Sequence, residues 1–166
     1  DRYRPECMTR RYGKLPAWIF HGVIYNYQKA FGTFWEKNYG TMDSEKYIDH
    51  ISKFEDLFRS ERLNGGWPVF MHDNAPCYRS LKTMNSLSSR DIPVLPFPPY
   101  SQDLNLIEHV WSKMKSYILE RQYLTGYDPQ RIGFERLREL IIEAWESVLD
   151  DFVSSLYHSW YDRSQA

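Results

Sequence analysis

Two acidic residues lie in surroundings that could give them a chemical role. Asp73 directly follows an apolar stretch typical of a short buried strand, and Asn74, Ala75 and Pro76 after it are typical of a turn. Open α/β sheets place ligand sites at the carboxyl ends of their strands, where this carboxylate is expected. An Asp-Asn-Ala-Pro turn alone is more often only a turn. Asp73 therefore needs a partner before it indicates a site.

The partner is Glu108, on a predicted helix. It follows Leu104 by four residues and so lies about 40° around the helix from it, at the border of the apolar face that must pack on the sheet. A single Glu there is usually a surface residue. Beside Asp73, however, it would form a carboxylate pair that is repulsive unless a cation lies between the two groups. Such hard oxygen ligands favour Mg²⁺ or Mn²⁺, ions suited to phosphoryl transfer.

The elements that must position these acids follow an α/β order. A proline-stiffened loop at 96–101 leads into the helix of Glu108 and would bring it near Asp73. The predicted elements are strands at 17–25 and 30–35, a helix capped at Asp43 or Ser44 and ended by Asn64-Gly65-Gly66, a strand at 68–72, a weaker helix at about 80–87, a strand at 92–95 that is short or near an edge, a helix from Asp103, and an amphipathic helical stretch from Leu137 to Leu156. We therefore expect a mixed sheet flanked by helices.

Composition limits the class of protein. The 166 residues are 42% apolar and 17% aromatic, which excludes disorder and suits a single domain over 1–166 with a real core. No apolar run approaches the length of a membrane span, so no membrane partner is predicted, and the two cysteines do not make a disulfide framework. The net charge of −1 does not indicate nucleic acid, although residues 1–40 hold seven Lys/Arg against three acids. An intracellular protein is the default expectation.

Two blocks around the acids, MHDNAP at 71–76 and PPYSQDLNLIEHVWSKMK at 98–115, leave 34 residues between Asp73 and Glu108. The blocks and this spacing resemble the second and third acidic motifs of mariner-superfamily transposases, in the branch whose third acid is Glu. Weaker similarity covers most of the chain, including RYRPEC at 2–7 and MDSEKYI at 42–48.

The resemblance implies a ribonuclease-H-like fold and a DNA transposase or integrase-type endonuclease that cleaves phosphodiesters and transfers strands with two Mg²⁺ or Mn²⁺ ions, in the nucleus. Asp73 and Glu108 would bind the metal. One ion would activate water, and later a DNA 3′-hydroxyl, while the other would stabilise the leaving oxygen. Asn74, His72 and Trp111 would support the site, with Asn74 shaping the turn and Trp111 packing the helix of Glu108 onto the sheet.

The sequence also departs from the family pattern. Gln102 and Leu106 replace two prolines of the third block, and Tyr78 stands where the family usually has His. The family's first catalytic Asp lies on the central strand, upstream of the part that 2–7 resembles. We therefore expect an N-terminally truncated domain that lacks this strand and holds its ions weakly. An upstream segment, a second copy or another chain would fill the place of the strand, or the sheet would rearrange.

Two other classes of protein stay open. His72 beside Asp73 and His109 beside Glu108 would suit a zinc hydrolase, but adjacent residues point in different directions and the sequence has no His-x-x-x-His pair. The stronger alternative is a catalytically inactive, domesticated or decaying transposase relative that acts as a DNA- or protein-binding scaffold. The missing first Asp favours it, and the intact pair Asp73 and Glu108 opposes it.

Overall fold

A computed structural model describes residues 19–96, 98, 101, 104–125 and 133–165. The 2–7 block and the first 18 residues of the basic stretch at 1–40 lie outside these ranges, as does most of the loop at 97–103. The predicted hairpin is confirmed: β1 (Ile19–Tyr25) pairs antiparallel with β2 (Gln28–Trp35). Asn26 and Tyr27 both have positive φ, 47° and 66°, as a two-residue turn that follows the twist of a hairpin requires.

The helices differ from the predicted ones in three places: two continuous patterns are each broken into two helices, and a short helix that was not predicted follows the Asp73 turn. They are α1 (Ser44–Ser52), α2 (Glu55–Leu63), α3 (Pro76–Arg79), α4 (Leu81–Ser89), α5 (Leu106–Thr125), α6 (Phe134–Ser147) and α7 (Asp150–Gln165). The breaks fall at Phe54 and Val148, which are both buried. Each break redirects the chain so that apolar residues on either side still reach the core, which is why the sequence pattern continues across it. Asp43 caps α1 as predicted, accepting a hydrogen bond from the backbone N of Lys46 at 3.0 Å.

The predicted strands at 68–72 and 92–95 are reduced to a single parallel bridge between Phe70 and Val94. The backbone N of Phe70 donates to the Pro93 carbonyl, and the N of Leu95 donates to the Phe70 carbonyl, both at 2.8 Å. The prolines that flank this pair have no N–H to extend a ladder, which keeps the paired region short. Parallel pairing here and antiparallel pairing in the hairpin make the arrangement mixed, as expected.

The hairpin lies between two apolar clusters. One is built from α5, α6 and α7, with Phe20 and Ile24 of β1 packed against it, and the other from α1, α4 and Ile92, with Val23 packed against it. A Cβ at Gly22 would lie 2.5 Å from Cζ3 of Trp145 and 2.7 Å from Cη2 of Trp111. Both indoles therefore pack directly against the backbone of β1 at Gly22. This contact positions α5, and with it Glu108, beside β1. No helix in the described ranges is long and apolar enough to span a membrane.

Two histidines meet beside the second cluster, where the His50 ring contacts Phe54. The rings of His21 and His50 are 4.4 Å apart, His50 is only 2% exposed, and neither Nε2 atom has a hydrogen-bond partner within the described part of the chain. Burial, followed by the nearby His21 and Lys53, lowers the pKa of His50 to about 4 against a weak opposing effect of Asp49, and burial also lowers the pKa of His21. Both rings are therefore neutral in the folded protein near neutral pH.

This pair predicts a loss of stability in acid. Below pH 6.5 this histidine is protonated in the unfolded chain, whereas in the folded protein His50 stays neutral until about pH 4. The free energy of unfolding therefore falls between these two pH values, by about 2–3 kcal/mol for His50 alone. Urea titrations at pH 7 and pH 4.5 measure this loss. His50→Leu should flatten the pH dependence, while the same change at exposed His158 should not. Equal acid sensitivity in wild type and His50→Leu would contradict the assignment.

Candidate active site

Both predicted acids line one cleft. The cleft has a volume of about 580 Å³ and lies between β1 and the segment 67–73, with residues 105–108 and Trp111 of the α5 region along one wall. Asp73 ends the segment, Glu108 stands in the first turn of α5, and both side chains are exposed. The structure therefore brings the carboxylate that ends the 67–73 segment and a helix carboxylate, distant in sequence, to the same cleft.

The turn after the segment orients Asp73. Its Oδ1 accepts a hydrogen bond from the backbone N of Ala75 at 2.9 Å, and Pro76 begins α3 directly afterwards. Asp side chains commonly bond the backbone two residues on in this way. The bond engages one of two carboxylate oxygens, so the exposed side chain keeps the capacity to bind a cation. Asn74 lies half-buried within this turn.

The start of α5 positions Glu108. Its backbone N donates to the Asn105 carbonyl at 3.1 Å, and Asn105 itself is buried at the cleft. One turn further on, the Trp111 ring lies 5.9 Å from Phe20 and 6.1 Å from Trp145. Trp111 thus packs α5 onto the hairpin and keeps the first turn of α5 beside the cleft.

Sequence reasoning missed the aromatic side chains beneath the Asp73 turn. The hydroxyl of Tyr47 lies 2.8 Å from Nδ1 of His72, and the Tyr47 ring stacks on Tyr78 with centroids 4.0 Å apart. Burial lowers the pKa of His72 and raises the pKa of Tyr78 to about 12, so both groups are uncharged near neutral pH. The only sequence signal for Tyr47 was its place in the MDSEKYI block at 42–48, and this block did not predict that Tyr47 contacts His72 and Tyr78.

The groups at the cleft fit a hard divalent cation. Two exposed carboxylates and the amide of Asn105 offer oxygen ligands, whereas the Nδ1 atom of His72 is occupied by Tyr47. Across the described ranges, no three His, Cys, Asp or Glu side chains form a metal-binding group, so an ion here would depend on the pair Asp73 and Glu108. Such a pair would hold Mg²⁺ or Mn²⁺ only with help from water, substrate or another ligand.

Comparisons of sequence give the family. The model of the DDE superfamily endonuclease family matches residues 13–128. The Tcb1 transposase of Caenorhabditis briggsae is 34% identical over 127 residues, which cover 76% of this chain and 43% of that protein. The Tc3 transposase of Caenorhabditis elegans is 29% identical over 74% of this chain and 32% of its own length, and human histone-lysine N-methyltransferase SETMAR is 29% identical over 69% and 17%. The chain thus spans less than half the length of these relatives.

Comparisons of structure agree on the fold. The catalytic domain of Mos1 transposase, solved with raltegravir and Mg, superposes with a TM-score of 0.59 at 16% identity, covering 89% of this chain and 78% of that one. A pre-cleavage Mos1 transpososome gives a TM-score of 0.65 at 18% identity, covering 99% and 47%. The expected ribonuclease-H-like fold is therefore confirmed. The chain belongs to the DDE superfamily endonuclease family, and the resemblance of its two acidic blocks to mariner-superfamily transposases is confirmed with it.

Proposed function

We propose that this chain is the endonuclease domain of a DNA transposase, in which Asp73 and Glu108 hold Mg²⁺ or Mn²⁺ for phosphodiester cleavage and strand transfer. The observation that carries the proposal is the exposed carboxylate pair on one cleft, presented from the end of a segment and the first turn of a helix. When bound, the metal supplies Lewis-acid activation of the attacking and leaving oxygens. The chain's own contribution is to orient the two carboxylates, through the Ala75 hydrogen bond and the packing of Trp111.

DNA is the proposed substrate and partner, and the nucleus the proposed location. Solved Mos1 neighbours include a paired-end complex with a left transposon end and a strand transfer complex. These support DNA as the ligand of this fold and an assembly of more than one protein copy, such as a dimer. We extend both features to this chain as part of the proposal.

The cleft supports a further part of the proposal, which is that an additional extended segment lies in it beside β1. The cleft follows β1 over its whole length, and the ladder bonds that the structure describes for Phe70 all go to the 93–95 side. An extended segment lying in the cleft would meet the second edge of β1 and the second side of Phe70, satisfying backbone groups that are costly to bury unpaired. The resemblance to mariner-superfamily transposases implies that such a segment carries the family's first catalytic Asp, which would add a third carboxylate. An upstream segment or a second chain could supply it.

The inactive-scaffold alternative has less support. Among the ion pairs of the described residues, neither Asp73 nor Glu108 takes part, so neither carboxylate stabilises the fold through a salt bridge there. Two exposed acids that line one cleft and form no salt bridge there keep their oxygens available to a cation. The sequence similarity to two transposases also favours an endonuclease over an inactive scaffold.

Metal binding tests the proposal directly. Asp73→Asn and Glu108→Gln are each expected to weaken Mn²⁺ binding by about tenfold or more, since each removes one charged ligand. A titration followed by paramagnetic broadening of NMR resonances measures even millimolar binding and locates the ion. Glu120→Gln, an exposed acid further along α5, is the matched control and should bind Mn²⁺ like wild type. Equal Mn²⁺ affinities in the wild-type protein and all three variants would contradict the proposal.

A further inference from the structure

One buried side chain, Tyr47 of α1, contacts both flanks of the turn that carries Asp73. Before the turn, its hydroxyl lies 2.8 Å from Nδ1 of His72, the residue that precedes Asp73. After the turn, its ring stacks on Tyr78 in α3 at 4.0 Å and an interplanar angle of 29°. His72 and Tyr78 are nearly parallel as well, with centroids 5.6 Å apart and a 13° angle. The three rings therefore form one aromatic stack around the turn.

Tyr47 is itself firmly placed. It is 4% exposed and belongs to the buried cluster of Ile51, Phe54 and Leu87. Its helix starts at a capped N-terminus, with the Asp43 carboxylate bonded to the backbone N of Lys46. A side chain packed on all sides has few alternative rotamers. The aromatic stack thus connects an exposed turn to a rigid part of the core.

We propose that Tyr47 is a positioning residue for Asp73. Through the hydroxyl contact to His72 and the ring contact to Tyr78, it holds both ends of the turn so that the Asp73 carboxylate faces the cleft it shares with Glu108. This inference rests on the proposed function of Asp73 as a metal ligand. Mg²⁺ demands near-ideal ligand geometry, so a carboxylate on a loosened turn binds it less well. Groups that orient metal ligands typically change metal affinity by ten- to a hundredfold.

The test is Tyr47→Phe in the 166-residue chain, with Mn²⁺ alone as the probe. The substitution keeps the ring stack and removes only the hydroxyl contact to His72. We expect Mn²⁺ affinity to fall by about three- to tenfold, less than for an ordinary ligand-orienting group because Tyr47 acts through the backbone of the turn. Paramagnetic broadening measures the affinity, and the melting temperature is recorded for each variant.

Tyr25→Phe is the matched control. It also deletes a tyrosine hydroxyl at the cleft, one that donates to Glu61. The backbone N of Gly66 donates to the carbonyl of the same Glu61, which places Tyr25 at the start of the 67–73 segment, away from Asp73. Tyr25→Phe should lower the melting temperature without changing Mn²⁺ affinity. If it weakens Mn²⁺ binding as much as Tyr47→Phe does, the effect is general destabilisation and the inference is wrong.

A second variant covers the case in which Tyr47→Phe folds poorly. His72→Phe keeps an aromatic ring but offers no nitrogen to Tyr47, so it should weaken Mn²⁺ binding by a similar factor. The double variant should bind no more weakly than either single one, because both changes break the same contact. If the losses of Mn²⁺ affinity from the two single changes multiply in the double variant, the changes act independently and the inference is wrong.

Two results separate this inference from the proposed function. If Asp73→Asn weakens Mn²⁺ binding while Tyr47→Phe and His72→Phe do not, Asp73 is a ligand that Tyr47 does not position, and only the inference fails. If Asp73→Asn and Glu108→Gln also leave Mn²⁺ affinity unchanged, the metal binds elsewhere and both proposals fail.

Discussion

Glu108→Gln is expected to lower metal-dependent DNA cleavage by a factor on the order of 10²–10³. Loss of a charged metal ligand removes several kcal/mol of transition-state stabilisation, and each 1.36 kcal/mol is a factor of ten in rate. The assay is nicking of supercoiled plasmid in Mg²⁺ or Mn²⁺ by the natural protein that contains this chain. Glu120→Gln, on the same helix, should cleave like wild type.

The 166-residue chain on its own is expected to show no significant cleavage in the same assay. A site with two carboxylates holds two ions weakly, and each ligand helps to fix their positions. The cleft beside β1 should also leave the isolated chain prone to self-association, which sedimentation measures. Robust cleavage by the unextended chain that disappears in Glu108→Ala would show that the first acid lies within residues 1–166.

Trp145→Ala is expected to destabilise the domain by about 3–5 kcal/mol, enough to abolish most of the stability of an ordinary domain. The Trp145 side chain is 4% exposed, its ring lies 5.6 Å from Phe20 and 6.1 Å from Trp111, and it presses on Gly22. Its removal would open a cavity where α6, α5 and the hairpin meet. Urea unfolding followed by circular dichroism measures the loss.

The control for this change is Ile142→Ala, about one turn earlier on α6. Ile142 is 46% exposed, so its truncation should cost well under half as much as that of Trp145. Because Trp111 also packs Glu108's helix against this contact, Trp145→Ala should weaken Mn²⁺ binding along with stability. Similar unfolding free energies for the two variants would contradict the central place given to Trp145.

Residue type and apolar spacing predicted the secondary structure correctly where residues adjacent in sequence determine it. A stretch rich in aromatic and β-branched residues predicted the hairpin, and residue type alone predicted a helix cap at Asp43 or Ser44. Local pattern failed at Phe54 and Val148, because apolar spacing continues through both helix breaks. It also predicted two strands where the structure has the single bridge of Phe70 and Val94, since ladder length depends on which backbone groups meet across space.

The sequence by itself determined the family and the acid pair, because two motif blocks at a fixed spacing around Asp73 and Glu108 need no coordinates to be read. Only the tertiary structure decided that both acids line one cleft and that Tyr47 contacts both flanks of the Asp73 turn. Tyr47 lies on α1 and precedes His72, in the 67–73 segment, by 25 residues. Helix and strand periodicities report which face of an element is apolar, whereas the partner that each face meets is set by how the elements pack.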